Sequence, residues 1–435
     1  TATNFGATGS ASWVTTVKTN SDSGFTATAG EGYFLNTTAG TISVNLPAGT
    51  AGAVVAFKDY AGTFGTNAVT LVQNGSDKIG GDTINATLET NGIAVTLVFI
   101  DSTQGWLVTD SGLQDEAPTA QYIAATGGTI TCCGNFKIHT FTGPGTFTVC
   151  SVGNASGSNT IEYLVVAGGG GSAGGSPGAV GSGGGGAGGL RFASSSIAPL
   201  TYPAKPLAGP ANLPVTATGY PVSVGGGGGG SPASPPSNTR GTAGTNSVFS
   251  GSTTITSTGG GGGGSDSGPG NTGGPGGSGG AGANGAAGGS GNTPPVSPAQ
   301  GEDGGTGLVT ATPGWGAGGG GGFTQAGQAA QGSNGGYGGD GGGFPTAFGA
   351  NGVPCGSYRY YAGGGGGGSG YNGTSFPAGA GGKGGGAAGK TGSQGPTTGN
   401  AGTTNSGGGG GGVATNSVGG SGGSGIVVIR YKFQN

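Results

Sequence analysis

The sequence predicts an all-β chain of two unlike parts. A front β-sandwich or barrel module precedes a glycine field ordered as polyglycine II-like helices and closed by a pair of strands. Three observations carry this. Apolar runs of strand length recur between turn clusters as far as Asp110; no segment shows a helical period; and only 23 of the 120 glycines fall in the first 160 of 435 residues.

The front module, residues 1–111, is read from about Gly32 onward. "TISVNL" alternates Ile42, Val44 and Leu46; "AVVAF" (Ala53 to Phe57) and "AVTLVQ" follow, the latter running into an Asn74-Gly75 turn. "IAVTLVFI" (Ile93 to Ile100) is a nearly continuous apolar run, as expected of a strand covered on both faces, and "DSTQG" turns it into "WLVTD". Six or seven short strands at ~8–12-residue spacing describe a sandwich or barrel. Residues 112–127, polar and containing Pro118, read as a linker.

Residues 128–167 read as a hairpin and an opening strand. "NFKIHTFTGPGTFTVC" places two alternating strands around Thr142-Gly143-Pro144-Gly145, and "IEYLVVA" follows from Ile161. The glycine field occupies 168–424, and "GIVVIRYKF" within 425–435 closes the chain. The two strands at the ends of the field are suited to pair with each other, which a flexible linker does not require.

Four runs of six glycines (225–230, 259–264, 363–368, 407–412) and one of five (318–322) punctuate the field. No collagen register and no fixed solenoid period is kept. Glycine loses more backbone entropy on ordering than any other residue and offers no apolar side chain, so hydrogen bonds and close backbone approach must stabilise an ordered field. Extended helices of three residues per turn direct their N–H and C=O groups outward, where neighbouring helices satisfy them. A run of six would span about 19 Å as one rod of a layer.

Twelve basic and 15 acidic residues, spread thinly, leave neither a nucleic-acid stripe nor a polybasic membrane patch. No apolar stretch of spanning length appears, and no charged n-region precedes an apolar run, so membrane insertion is not expected. "GGGAAGKT" (Gly384 to Thr391) matches the P-loop pattern but lacks the flanking strand and helix that hold a phosphate. "GGYGGD" (Gly335 to Asp340) matches half of a calcium nonapeptide, and no second copy follows. The sole histidine, His139, sits in a strand, so the G-x-S-x-G matches have no triad partner outside it. No catalytic residue, metal or cofactor is expected. For Cys132, Cys133 and Cys150 three readings stand open: buried thiols, a disulfide, or a metal cluster with His139.

The aromatics of the field lie between the glycine runs, where loops cap the rods. Trp315, Tyr337, Phe344, Phe348, Tyr358, Arg359, Tyr360, Tyr361, Tyr371 and Phe376 are the contact candidates, "YRYY" (358–361) foremost. Tyrosine and tryptophan among Gly, Ser and Asn make a surface suited to glycans or proteins; the alternative is that they plug a lattice lacking an apolar core.

"KIHTFTGPGTFTV", "EYLVVAGGGG" and the closing "GGSGIVVIRYKF" resemble the glycine-rich domain of bacteriophage tail-fibre and virion-appendage proteins of marine and cyanobacterial phages, over about residues 128–435. The front module, with "ISVNLPAGTAGAVVAFKDYAGTF" and "TLVFIDSTQGWLV", is similar to a β module of such virion proteins. The resemblance implies a non-enzymatic tail fibre or adhesin whose loops touch the host receptor, a surface glycan or protein. It further implies attachment to other virion proteins through the front module, homotrimer formation, synthesis in the host cytoplasm and residence in the virion. A capsid-surface fibre or decoration protein, or a cellular glycine-rich surface or filament protein, is the alternative.

Overall fold

Residues 11–113, 120–154, 157–176, 181–197, 212–233, 239–266, 268–309, 315–370, 376–392, 397–414 and 416–434 are described by a computed structural model of the chain. The described residues form strands, extended segments and short 3-10 turns, with no α-helix among them. The chain divides into two units, Thr1–Thr119 and Ala120–Asn435.

The front unit is a sandwich wound in an unexpected way. β1 (Ser12–Thr19), β2 (Phe25–Thr26), β3 (Glu31–Asn36), β4 (Ile42–Asn45), β5 (Val54–Asp59) and β6 (Val69–Val72) fall alternately in one sheet and the other. Successive strands within a sheet are therefore parallel, β1-β3-β5 in one and β2-β4-β6 in the other. β7 (Ala86–Leu88), β8 (Ile93–Phe99) and β9 (Trp106–Leu113) complete the sheets in antiparallel fashion. Alternate residues (Leu35, Val44, Val55, Phe57, Leu71, Leu97) meet in the core with Trp106. β8 buries Val95, Leu97 and Phe99 but leaves Ala94, Thr96 and Val98 half-buried, so it is covered on one face and not on two. Asp59 is buried at the end of β5, where its carboxylate accepts N–H groups from Ala61, Gly62, Thr63, Phe64 and Gly92.

The second unit opens with β10 (Ala124–Thr126), inside the stretch read as linker. Ile123 and Ala125 are buried there beneath the core, and the strand pairs with β13. β11 (Thr129–Cys133) and β12 (Phe136–Phe141) form a hairpin around Gly134, whose φ is +57°. β13 (Gly145–Ser151) does not pair with β12 as the sequence suggested. Thr142 to Pro144 instead carry the chain around a corner into a second sheet.

β14 (Thr160–Val166), β15 (Leu190–Ala193), β16 (Leu213–Pro214), β17 (Gly219–Ser223), β18 (Ser247–Ser250), β19 (Thr254–Ser257), β20 (Gly342–Pro345), β21 (Val353–Cys355), β22 (Tyr358–Tyr361) and β23 (Ile426–Lys432) follow. The opening and closing strands do pair: β14 and β23 run antiparallel from Glu162 opposite Arg430 to Val166 opposite Ile426, at the centre of a sheet ordered β11-β12-β23-β14-β15. One face of that sheet (Ile161, Tyr163, Val165, Val427, Ile429) packs on the sheet β10-β13-β17-β18-β19. Its other face (Leu164, Val166, Phe192, Ile426, Val428) packs on Phe323, Phe344, Phe348 and Tyr361. Burial on both faces explains why these two strands read as unbroken apolar runs.

Beyond Val166 the glycine field is an ordered lattice. The segment 181–189 shows its rule. Gly181, Gly184 and Ala187 donate to the carbonyls of Trp315, Gly318 and Gly321; Ser182, Gly185 and Gly188 to those of Val413, Gly410 and Gly407; Gly183, Gly186 and Gly189 to those of Gly264, Gly261 and Thr258. Donors three apart thus serve one neighbour, the period of a polyglycine II rod. The carbonyls of Ser182 and Gly185, of Gly184 and Ala187, and of Gly186 accept from three further segments through Gly368 and Gly365, Ala281 and Ser278, and Gly170. Six rods therefore surround one, and four of the five glycine runs are among them.

Close approach, rather than backbone angle, makes glycine necessary. Within the five runs only Gly407 has positive φ. A Cβ on Gly185 would lie 2.0 Å from the Gly170 carbonyl oxygen, whereas at the exposed Gly229 it would meet nothing within 4 Å.

Candidate functional site

The contact candidates separate by depth. Phe344, Phe348 and Tyr361 belong to the core: Phe344 and Phe348 pack edge-on against Phe192 at centroid distances of 4.9 and 5.0 Å, and Phe344 against Tyr361 at 6.0 Å. Burial pushes the Tyr361 phenol pKa well above its ordinary value, and its hydroxyl has no hydrogen-bond partner among the described residues. This corrects their reading as surface contacts. The clasp sheet needs an apolar cover on its second face, and glycine rods supply no side chains for it.

Alternation along β22, paired with β20 and β21, turns Tyr361 inward and leaves Tyr358, Arg359 and Tyr360 half-buried. The Tyr360 ring lies over Gly343, where a Cβ would come within 2.7 Å of it. Beside this sheet Asp340 and Lys383 form a surface ion pair at 3.5 Å, and the carboxylate raises the pKa of the ammonium. Trp315 and Phe376 are half-buried, and Tyr371 lies outside the described residues.

Tyr337 is the exposed member, with 53% of its surface free. Its backbone is held tightly: its carbonyl accepts from Gln328 N–H at 2.9 Å, and the flanking Gly336 and Gly338 donate to Ala317 at 2.8 Å and Ala380 at 2.9 Å. Sequence reasoning missed its companions. Gln325, Gln328, Gln331, Asn334 and Tyr337 occur at every third position, and all five are exposed. A threefold rod presents every third residue on one face, which groups Gln325, Gln328 and Gln331 before a turn and Asn334 and Tyr337 after it, so the spacing itself was the signal. Gln331 and Asn334 exchange backbone hydrogen bonds of 3.1–3.2 Å as the chain turns, bringing Gln328 and Tyr337 side by side. A groove of about 150 Å³ runs between Gln328, Gln331, Asn334, Tyr337 and Pro377.

All four cysteines are free and exposed, Cys132 and Cys133 on the edge strand β11, Cys150 on β13 and Cys355 on β21. Neither the buried-thiol reading nor a disulfide among Cys132, Cys133 and Cys150 describes them. His139 is fully buried: Nδ1–H donates to the Gly127 carbonyl at 2.7 Å, and Nε2 accepts from the Tyr431 hydroxyl at 3.2 Å. Among the described residues no group of three or more His, Cys, Asp or Glu is placed to hold a metal. In the P-loop-like stretch Gly386, Ala387, Gly389 and Lys390 donate their N–H groups to Gly382, Gly409, Gly379 and Gly412, so the lattice has taken the amides a phosphate would need.

A family model described as "Glycine-rich domain" matches residues 140–432, from β12 to the end of β23. The chain belongs to this glycine-rich domain family. No curated protein matches it. The span of the glycine-rich domain takes in both β14 and β23 and every run between them, while β10 and β11 of the second unit and the whole front unit lie outside it.

Proposed function

We propose that the chain is a non-enzymatic structural protein of a phage virion, a tail fibre or adhesin that displays a host-glycan contact on a rigid glycine lattice. The observation that carries this is the three-residue series from Gln325 to Tyr337, exposed side chains on backbone fixed by the lattice. Primary amides both donate to and accept from sugar hydroxyls, and a tyrosine ring offers a flat apolar face. Little conformational freedom is lost on binding when the backbone beneath is already immobile. The front unit is assigned attachment to other virion proteins and assembly of the fibre, as a trimer, and the resemblance of the clasp strands to phage appendage domains supports the setting.

Mass spectrometry of purified particles tests virion membership, and absence of the chain from mature particles would end that part. Adsorption tests the contact: particles carrying Tyr337→Ala together with Gln331→Ala are expected to bind host cells about tenfold more weakly. Unchanged adsorption would remove the series from the reading.

A further inference from the structure

At the end of the clasp remote from the rods, a cleft of about 310 Å³ opens between Phe136, Glu162, Ser195, Ser196, Asn212 and Lys432. We propose that this cleft is a binding site for a small neutral polyhydroxylated ligand, a monosaccharide unit, separate from the Tyr337 groove and independent of the adhesin reading.

The walls are polar yet their charge is already compensated. Glu162 is buried, one carboxylate oxygen accepting from the Arg430 guanidinium and the other from Ser196 N–H at 3.1 Å. Arg430 also donates to Ser196 Oγ at 2.6 Å and stacks on Phe136, its guanidinium carbon 3.4 Å from the ring centroid. An anion would face a carboxylate whose Arg430 is already engaged, and Lys432, the other cation at the wall, is taken up elsewhere, its Nζ 5.8 Å from the Tyr122 ring centroid; a cation would find that carboxylate engaged. A neutral ligand meets neither obstacle.

Asn212 supplies the demand. Its Nδ2 donates to Ser195 Oγ at 2.7 Å, which fixes the amide, and its Oδ1 is buried with no hydrogen-bond partner among the described residues. A buried acceptor left unmade costs about 1–3 kcal/mol, a cost a bound donor would remove. Turning the amide over would make the orphan atom a donor, and a hydroxyl serves either orientation, being donor and acceptor at once. Ser195 Oγ, accepting from Asn212, keeps its own proton to give to a second ligand oxygen. The half-buried Phe136 adds one apolar wall. Scattered hydroxyl partners with one apolar wall, in a cleft at the lower end of ligand-site volumes, describe a sugar ring.

The full chain is to be titrated with glucose, galactose, N-acetylglucosamine and inorganic phosphate, by saturation-transfer NMR and calorimetry. At least one sugar is expected to saturate with a Kd below ~10 mM, and phosphate to show no saturation. Asn212→Leu is expected to weaken that binding at least about tenfold, and Ser195→Trp, which fills the mouth from an exposed position, to abolish it. All titrations are made in the Tyr337→Ala background, in which the adhesin groove lacks its ring, so that binding and its loss report on this cleft alone. Thermal melting confirms that each variant is folded, and should Asn212→Leu melt early, Ser195→Trp alone decides. No sugar binding in that range would show a cleft holding water only. Phosphate binding in place of sugar, or sugar binding that survives Ser195→Trp, would equally overturn the proposal.

Discussion

Glu162 and Arg430 face each other across the central strand pair, 268 residues apart in sequence and with side chains only 4% and 6% exposed. Dehydrating two such charges consumes most of what their attraction returns. Their value is registration: β14 and β23 are otherwise apolar on both faces, and a slip by two residues would bury each charge without the other.

Removing one partner should therefore be far worse than removing both. Glu162→Leu or Arg430→Met alone is expected to lower unfolding free energy by about 3–5 kcal/mol, and the two together by clearly less. Chemical denaturation of the four proteins of this cycle measures the difference.

The lattice predicts a contrast between two glycine-to-alanine changes. Gly185→Ala sets a methyl group against the Gly170 carbonyl and should cost roughly 3 kcal/mol, while Gly229→Ala, with open space, should stay within about 0.5 kcal/mol. Hydrogen exchange reports the same geometry, with the amides of Gly183 to Gly189 slow and that of Gly229, which has no partner among the described residues, fast.

Burial lowers the pKa of His139 from its ordinary 6.5, against the opposing pull of the Gly127 hydrogen bond. The neutral ring is the folded form, so the unfolded chain takes up the proton first as pH falls. Stability should be unaffected by this group above pH 6.5 and decline below it, down to the folded pKa. His139→Gln is expected to remove that slope in denaturation curves collected between about pH 7 and pH 5.

Phe344→Ala should cost about 3–5 kcal/mol, because its ring is sealed between Phe192 and Tyr361. Tyr337→Ala should leave the melting temperature nearly unchanged. Parallel melting of the two variants checks the division between core and surface aromatics.

Four thiols should react with a disulfide reagent in the native protein, the number freely exposed. A native count of two or fewer, rising only on unfolding or reduction, would contradict the exposure of Cys132, Cys133, Cys150 and Cys355.

The clasp was legible because strands buried on both faces leave a run such as "EYLVVA" at either end of the field. The rods were legible as glycine runs of equal length. Which rod lies innermost was not, since the 181–189 segment contains Ser182 and Ala187 and no run longer than four. The parallel winding of β1 to β6 was hidden because alternation reports a strand's buried face and says nothing of its partner. The edge strand β1, mostly exposed or half-buried, gave too weak an apolar signal to be read at all. Phe344 and Phe348 misled for a related reason: composition places an aromatic in a loop, but only the second face of the clasp sheet shows what that loop covers.

A rod that donates to three neighbours in rotation keeps a reading frame of its own. Gain or loss of three residues within 181–189 would leave each remaining N–H aimed at its former neighbour, shifted by one turn. Gain or loss of one would rotate the rest of the rod by about 120° and misdirect every following donor. The loops between rods carry no such arithmetic. Diversification by insertion should therefore collect in the aromatic and amide-bearing turns, while rod lengths change, if at all, by threes.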